Sequence, residues 1–173
     1  MRFAFAALLL AAMPVTATAD TLTMQAAAAG FYDVYRTFHP SDGIPAAGDL
    51  AKYEPFLSPA LDGLLKQGAA AEERFTKANK NSPPLVEGDL FTSMFEGATS
   101  VSVGSCSGGA KAAQCTVALE YADPKSPAKW IDKIYLVNTP GGWRVDDIAY
   151  GAPWAFGNKG RLTDTLRQVI GFQ

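Results

Sequence analysis

Histidine is nearly missing from this sequence: His39 is the only one among 173 residues. A single imidazole cannot complete a zinc site of the usual Cys/His type, and neither H-E-x-x-H nor C-x-x-C occurs. Standing at the end of a helical run, His39 reads as a cation or donor for the last carbonyls rather than as a catalytic base. No P-loop and no dinucleotide fingerprint is present, so no cofactor is expected. Charge of one sign is scarce too. Fifteen Lys and Arg stand against seventeen Asp and Glu, a net charge of −2, and no basic patch points to nucleic acid or an anionic membrane. There is no internal repeat, no low-complexity linker, and no second apolar run of membrane-spanning length.

The apolar run that does occur, Phe3 to Val15, follows Arg2 and precedes Ala17-Thr18-Ala19. This order of a positive start, a short apolar stretch and an A-x-A site reads as a Sec-type signal peptide, with Asp20 as the new N-terminus. No cysteine lies near the cleavage site, so there is no lipobox. The expected location is the periplasm or the exterior, with no integral span in the mature chain. Residues 20–173 are expected to form one domain, since a chain of this size buries roughly 68–70% of its unfolded surface without help from metals.

Cysteine is limited to Cys106 and Cys115, which flank the glycine-rich stretch Ser107 to Gln114. In an exported protein such a pair reads as a disulfide across a hairpin. The spacing carries a register conflict. Pairing the cysteines sets Val103 against Ala118, whereas the apolar faces need Val103 opposite Val117, so a β-bulge is expected at Gly104-Ser105. Gly104 to Gly108 also spells G-x-C-x-G. A nucleophile elbow, however, needs a helix after the turn and a histidine base, and the segment downstream reads as strand.

Apolar residues Met24, Ala28, Phe31, Tyr35 and Phe38 recur three or four apart, predicting a helix over Leu22 to His39. Asp49 reads as the cap of a short turn over Leu50 to Glu54. Ser58-Pro59 opens a helix that runs to about Ala78. Leu85 to Glu96 fits either a short turn capped by Asp89 or a strand. From Gly97 the period becomes two, through Val101, Val103, Val117, Leu119 and Tyr121. Trp130 to Gly151 then forms two strands about the turn Thr139-Pro140-Gly141-Gly142, expected at the centre of the sheet. Leu162, Leu166 and Ile170 predict a last helix over Arg161 to Ile170.

The charges of this second hairpin are the candidate chemistry. Trp143 and Val145 face one side, and Arg144 and Asp146 the other. Ile148 joins the apolar face only if another bulge intervenes at Asp146-Asp147, which would turn one aspartate inward and suit it to proton transfer. Arg144 is placed to pair with Asp132 across the sheet, or with Asp146, an architectural alternative to catalysis.

The stretches GDLFTSMFEGATSVSVG, WIDKIYLV, GWRVDDIAYG and WAFGNKGRL resemble the NTF2-like (cystatin-like) superfamily, in particular exported bacterial envelope proteins of undefined function. The resemblance covers about Leu22 to Ile170. It implies an α+β fold: N-terminal helices packed on a curved antiparallel β-meander, a cone with a pocket at its mouth, and here a C-terminal helix. Some members of the superfamily are isomerases or dehydratases working through pocket Asp, His and Tyr; others are binding or dimerisation modules. No Asp/His or Tyr/Asp motif of the enzymes matches, so no catalytic residue carries over.

Three readings follow. The first is an accessory module contacting an envelope protein or small ligand through the aromatic loop at Trp154 and Phe156, with a homodimer compatible. The second is an immunity-type inhibitor of a secreted toxin. The third is a small-molecule enzyme using Asp147, Tyr150 and Tyr35 around a cone pocket.

Overall fold

The computed structural model describes residues 23–38 and 43–172. The signal-peptide assignment and His39 lie outside the described residues. Chain order is α1 (Met24–Phe38), α2 (Ala47–Tyr53), a 3-10 turn (Glu54–Phe56), α3 (Pro59–Ala78), β1 (Ser100–Gly108), β2 (Ala112–Tyr121), β3 (Ala128–Thr139), β4 (Gly142–Ala149) and α4 (Leu162–Gly171). The strands form one open antiparallel meander in the order β1-β2-β3-β4. The fold class is therefore the α+β arrangement expected: helices first, then the sheet, then a closing helix.

The helical stripe of α1 is the core's first layer. Ala28, Phe31 and Tyr35 are fully buried. The Phe31 ring meets Tyr32, Tyr53 and Phe91 at centroid distances of 5.1, 5.2 and 5.1 Å, which ties α1 to α2 and to the segment ahead of the sheet. At the start of α3, Ser58 caps as expected, its Oγ accepting from Leu61 N at 3.0 Å with Pro59 following. The start of α2 differs from expectation. The helix begins at Ala47, and Asp49 lies inside its first turn, where its carboxylate meets the N-terminal dipole and Lys52 at 2.7 Å.

Both register devices are present. Val103 pairs with Val117 and Cys106 with Cys115, so Gly104 and Ser105 together oppose Thr116. A Cβ at Gly104 would lie 2.5 Å from Thr116 Oγ1, so a larger residue there requires the threonine side chain to move. The disulfide Cys106–Cys115 closes just beyond, with its Cα atoms 4.0 Å apart. Converting both cysteines to serine is expected to destabilise by about 2.7 kcal/mol through the released loop entropy. Urea unfolding of the two proteins measures this; equal midpoints would mean that strands and bulge set the register unaided.

On the other hairpin Tyr135 pairs with Asp147 and Leu136 with Val145, which leaves Asp146 as the extra residue. The bulge returns Ile148 to the core face beside Val145, and both are fully buried. Two expectations about this hairpin need correction. It is not the centre of the sheet, because β4 is an edge strand and β2 and β3 are the interior ones. Nor does Asp132 pair with Arg144. Asp132 lies opposite Val117 on β2, whereas Arg144 lies opposite Val137 at the far end of β3. The free side of β4 is occupied by the chain itself. Leu57 bridges to Val145, Ser58 N donates to Val145 O at 2.7 Å, and Ala149 bridges to Arg161.

The final helix lies against α3 and β4 and buries Leu162, Leu166 and Val169. Val169 takes the inward place expected of Ile170, which is half-buried.

Candidate functional site

Period-two alternation on β3 places Trp130, Asp132 and Ile134 on the same inward face. Asp132 is thus a carboxylate on an apolar surface, with 0% exposure. Such burial is tolerable only when every lone pair is occupied. Oδ1 accepts from Ser93 Oγ at 2.5 Å and Gly151 N at 2.8 Å. Oδ2 accepts from Ser93 N at 2.9 Å and from the indole Nε1 of Trp130 at 3.0 Å. Ser93 Oγ in turn accepts from Gly151 N and Ala152 N at 3.0 and 3.2 Å. One side chain therefore joins the segment before the sheet to the segment after it.

The first of these segments, 85–98, is not a strand: it contains the short turn capped by Asp89, set in a stretch without regular structure. It is irregular and buried: Leu90, Phe91, Thr92 and Ser93 have no exposure, and Asp89 has 1%. Backbone inside a protein must find partners, and side chains supply them here. Asp89 Oδ1 accepts from Phe91 N and Thr92 N at 2.7 and 2.8 Å. Tyr35 Oη accepts from Ala98 N at 2.8 Å, and Asp89 Oδ2 is buried with no hydrogen-bond partner among the described residues. Burial pushes the Asp89 carboxyl up to about 7, against the pull of Tyr35 and the two amides. Burial likewise raises the Tyr35 hydroxyl, with the Asp89 charge adding to it.

The second segment gives the WAFGNKG stretch its structural meaning. Asn158 Nδ2 donates to Asp89 O and Thr92 O at 2.6 and 2.7 Å, and Asn158 N donates to Ser93 O at 2.9 Å. Gly157 has φ +90, and a Cβ there would lie 2.3 Å from Ser93 O, so only glycine permits this approach. Lys159 Nζ donates to Ala152 O at 3.0 Å and also to Trp154 O. The aromatic loop is thereby stapled to the buried segment and closed on itself.

These staples hold a groove of about 520 Å³ whose lining includes Met94, Glu96, Tyr121, Asp123, Lys125, Trp154 and Phe156. Trp154 packs edge-on against Trp130 at 5.5 Å, and Phe156 stacks on Trp154 at 6.3 Å with 21° between planes. Phe156 is 68% exposed, while Trp154 is half-buried and its indole Nε1 has no partner among the described residues. An exposed ring resting on a fixed one is an anchor already held in place.

Of the residues singled out from sequence, Trp154 and Phe156 come together in this groove. Asp147, Tyr150 and Tyr35 do not line it. Asp147 is turned to the first turn of α4, where its carboxylate accepts from Thr163 N and Oγ1, each at 3.1 Å, and from Arg161 at 3.0 Å. This is helix capping supplied from a neighbouring strand. Arg161 also lies over the Tyr135 ring at 4.2 Å. Tyr150 Oη donates to Leu90 O at 2.7 Å, and burial raises this hydroxyl well above its ordinary range. Burial brings the Asp89 carboxyl near neutrality but lifts the Tyr35 hydroxyl far above it, and at 1% and 0% exposure neither reaches an outside molecule in this conformation. Ser93, Asp89, Asn158 and Lys159 were not identified as site-forming from sequence. Asp132 was readable: an aspartate in step with Trp130 and Ile134 is a buried acceptor in need of donors. Among the described residues no cluster of His, Cys, Asp and Glu suits a metal, and no helix is long and apolar enough to cross a membrane.

Compared with protein-family models and with curated proteins, the chain matches none. The reading of the site accordingly rests on its own geometry.

Proposed function

We propose that this protein is an exported, non-enzymatic accessory module of the NTF2-like kind that holds an envelope protein partner in the groove at Trp154 and Phe156. The observation that carries this reading is the Phe156 ring, 68% exposed yet stacked on a Trp154 that is itself fixed against Trp130. Large exposed aromatics on rigid supports are favoured binding anchors, since little freedom is lost on contact. The Cys106–Cys115 disulfide supports export, because such bonds persist in oxidising compartments. The isomerase or dehydratase alternative gains nothing from the groove, which does not reach Asp147, Tyr150 or Tyr35.

The test is capture of partners from a periplasmic extract by the wild-type protein and by Trp154→Ala and Phe156→Ala. Near-UV circular dichroism confirms that each variant is folded. Both variants are expected to lose the captured partner, with a weakening of roughly thirtyfold or more for Trp154→Ala if it is a hot spot of about 2 kcal/mol. Undiminished capture by a folded Trp154→Ala protein would overturn the reading.

A further inference from the structure

We infer that the groove's occupant is a lysine or arginine side chain on a basic segment of the partner, an assignment that rests on the binding reading above. The rings argue first. Trp154, Phe156 and Tyr121 line the groove, and the negative face of an aromatic ring attracts a cation placed over it. The aliphatic stem of lysine or arginine suits the apolar part of the lining, Met94 and Ala128, while its head stays near the polar rim.

Charge argues second. Glu96 and Asp123 bring two carboxylates into the lining against the single ammonium of Lys125. None of the three forms an ion pair among the described residues. Asp123 is held in place through Oδ1, which accepts from Lys125 N and Ser126 N at 2.8 and 2.9 Å; Oδ2 takes no hydrogen bond from the described residues. A neutral apolar guest would cover these carboxylates without pairing them, which costs desolvation. An acidic guest would meet like charge. A cation pairs with a carboxylate and sits on a ring at once.

Anisotropy of the dye-labelled peptide Ala-Lys-Ala-Lys-Ala, titrated with the disulfide-intact protein, tests this. The comparison peptides carry acetyl-lysine or glutamate in place of lysine. The lysine peptide is expected to bind roughly tenfold more tightly than either. Glu96→Gln combined with Asp123→Asn keeps the shape and the turn, and is expected to weaken the lysine peptide by about tenfold. Lys125→Ala is expected to strengthen it by roughly two- to fivefold, because a competing positive charge is gone. Equal binding of the acetylated peptide overturns the cationic occupant. So does failure of the lysine peptide to bind while Trp154→Ala still releases the extract partner, and in both cases the binding reading stands. Retention of that partner by Trp154→Ala removes both.

Discussion

Asp132→Ala is expected to lower the unfolding free energy by roughly 3–5 kcal/mol, because it leaves several buried donors without acceptors at once. The donors are Ser93 N, Ser93 Oγ, Trp130 Nε1 and Gly151 N. Of these, only Gly151 N keeps an acceptor, the Ser93 Oγ, so the main cost falls on the serine amide, the serine hydroxyl and the indole. In a chain of this size the loss corresponds to a fall in Tm on the order of 10 °C. Asp132→Asn is a sharper probe. Wherever its NH2 is placed it confronts a backbone N–H, at Gly151 on one side or at Ser93 on the other, so the amide is expected to recover little of the loss. Urea unfolding of the three proteins decides it. A near-normal midpoint for Asp132→Asn would show that the carboxylate's charge and second acceptor contribute nothing. Because Ser93 precedes Met94 and Trp130 supports Trp154, the same substitution should also loosen the groove, visible as lost near-UV tryptophan dichroism.

Asp89→Asn is expected to act in the opposite direction above neutral pH. Burial raises the Asp89 carboxyl from 3.8 to about 7 in the folded protein, so between those values the native state holds a proton that the unfolded chain has released. This group's contribution to stability is therefore complete below about pH 4 and is lost as pH climbs through 7. The total change is on the order of 4 kcal/mol. Tyr32, Tyr35, Tyr53 and Tyr150 are the titratable groups that feel its charge, and burial keeps all four neutral through this range. The asparagine variant carries no titrating proton there. Subtracting its stability curve from that of the wild type between pH 4 and 8 isolates Asp89 from every other group, His39 included. The difference should grow in favour of the variant as pH rises. A flat difference would mean that the carboxyl titrates alike in both states.

Sequence patterning revealed the parts of this fold set by local chemistry. Ser58-Pro59 fixed one end of α3, and Ala78 was recognisable as the other. The spacing of the cysteines against the valines required a bulge at Gly104-Ser105, and the wish of Ile148 for the core required another at Asp146-Asp147. Both are conflicts between period and pairing, which a sequence displays openly. What it hides is partner choice over long separations. Asp132 was assigned to Arg144 because the two lie on neighbouring strands, yet its donors come from Ser93 and Gly151, segments without periodicity. Likewise 85–98 carries no regular pattern because side chains, rather than a ladder, satisfy its backbone. For the groove, Trp154 and Phe156 were visible as residues. Their setting was not, since Asn158, Lys159 and Gly157 act through single backbone contacts that leave no periodic trace.

The coverage of β4 by Leu57, Ser58 and Arg161 bears on how copies of this protein can meet. A sheet with two free margins can add neighbours endlessly, as a tile does in a row. Here one margin is already closed by the protein's own connections, which among the described residues leaves the β1 side, a strand without a single charged residue. Growth from one margin ends as soon as two molecules face each other across a twofold axis. Any sheet-to-sheet association through this margin therefore stops at a pair, and the fold carries its own terminator against filaments.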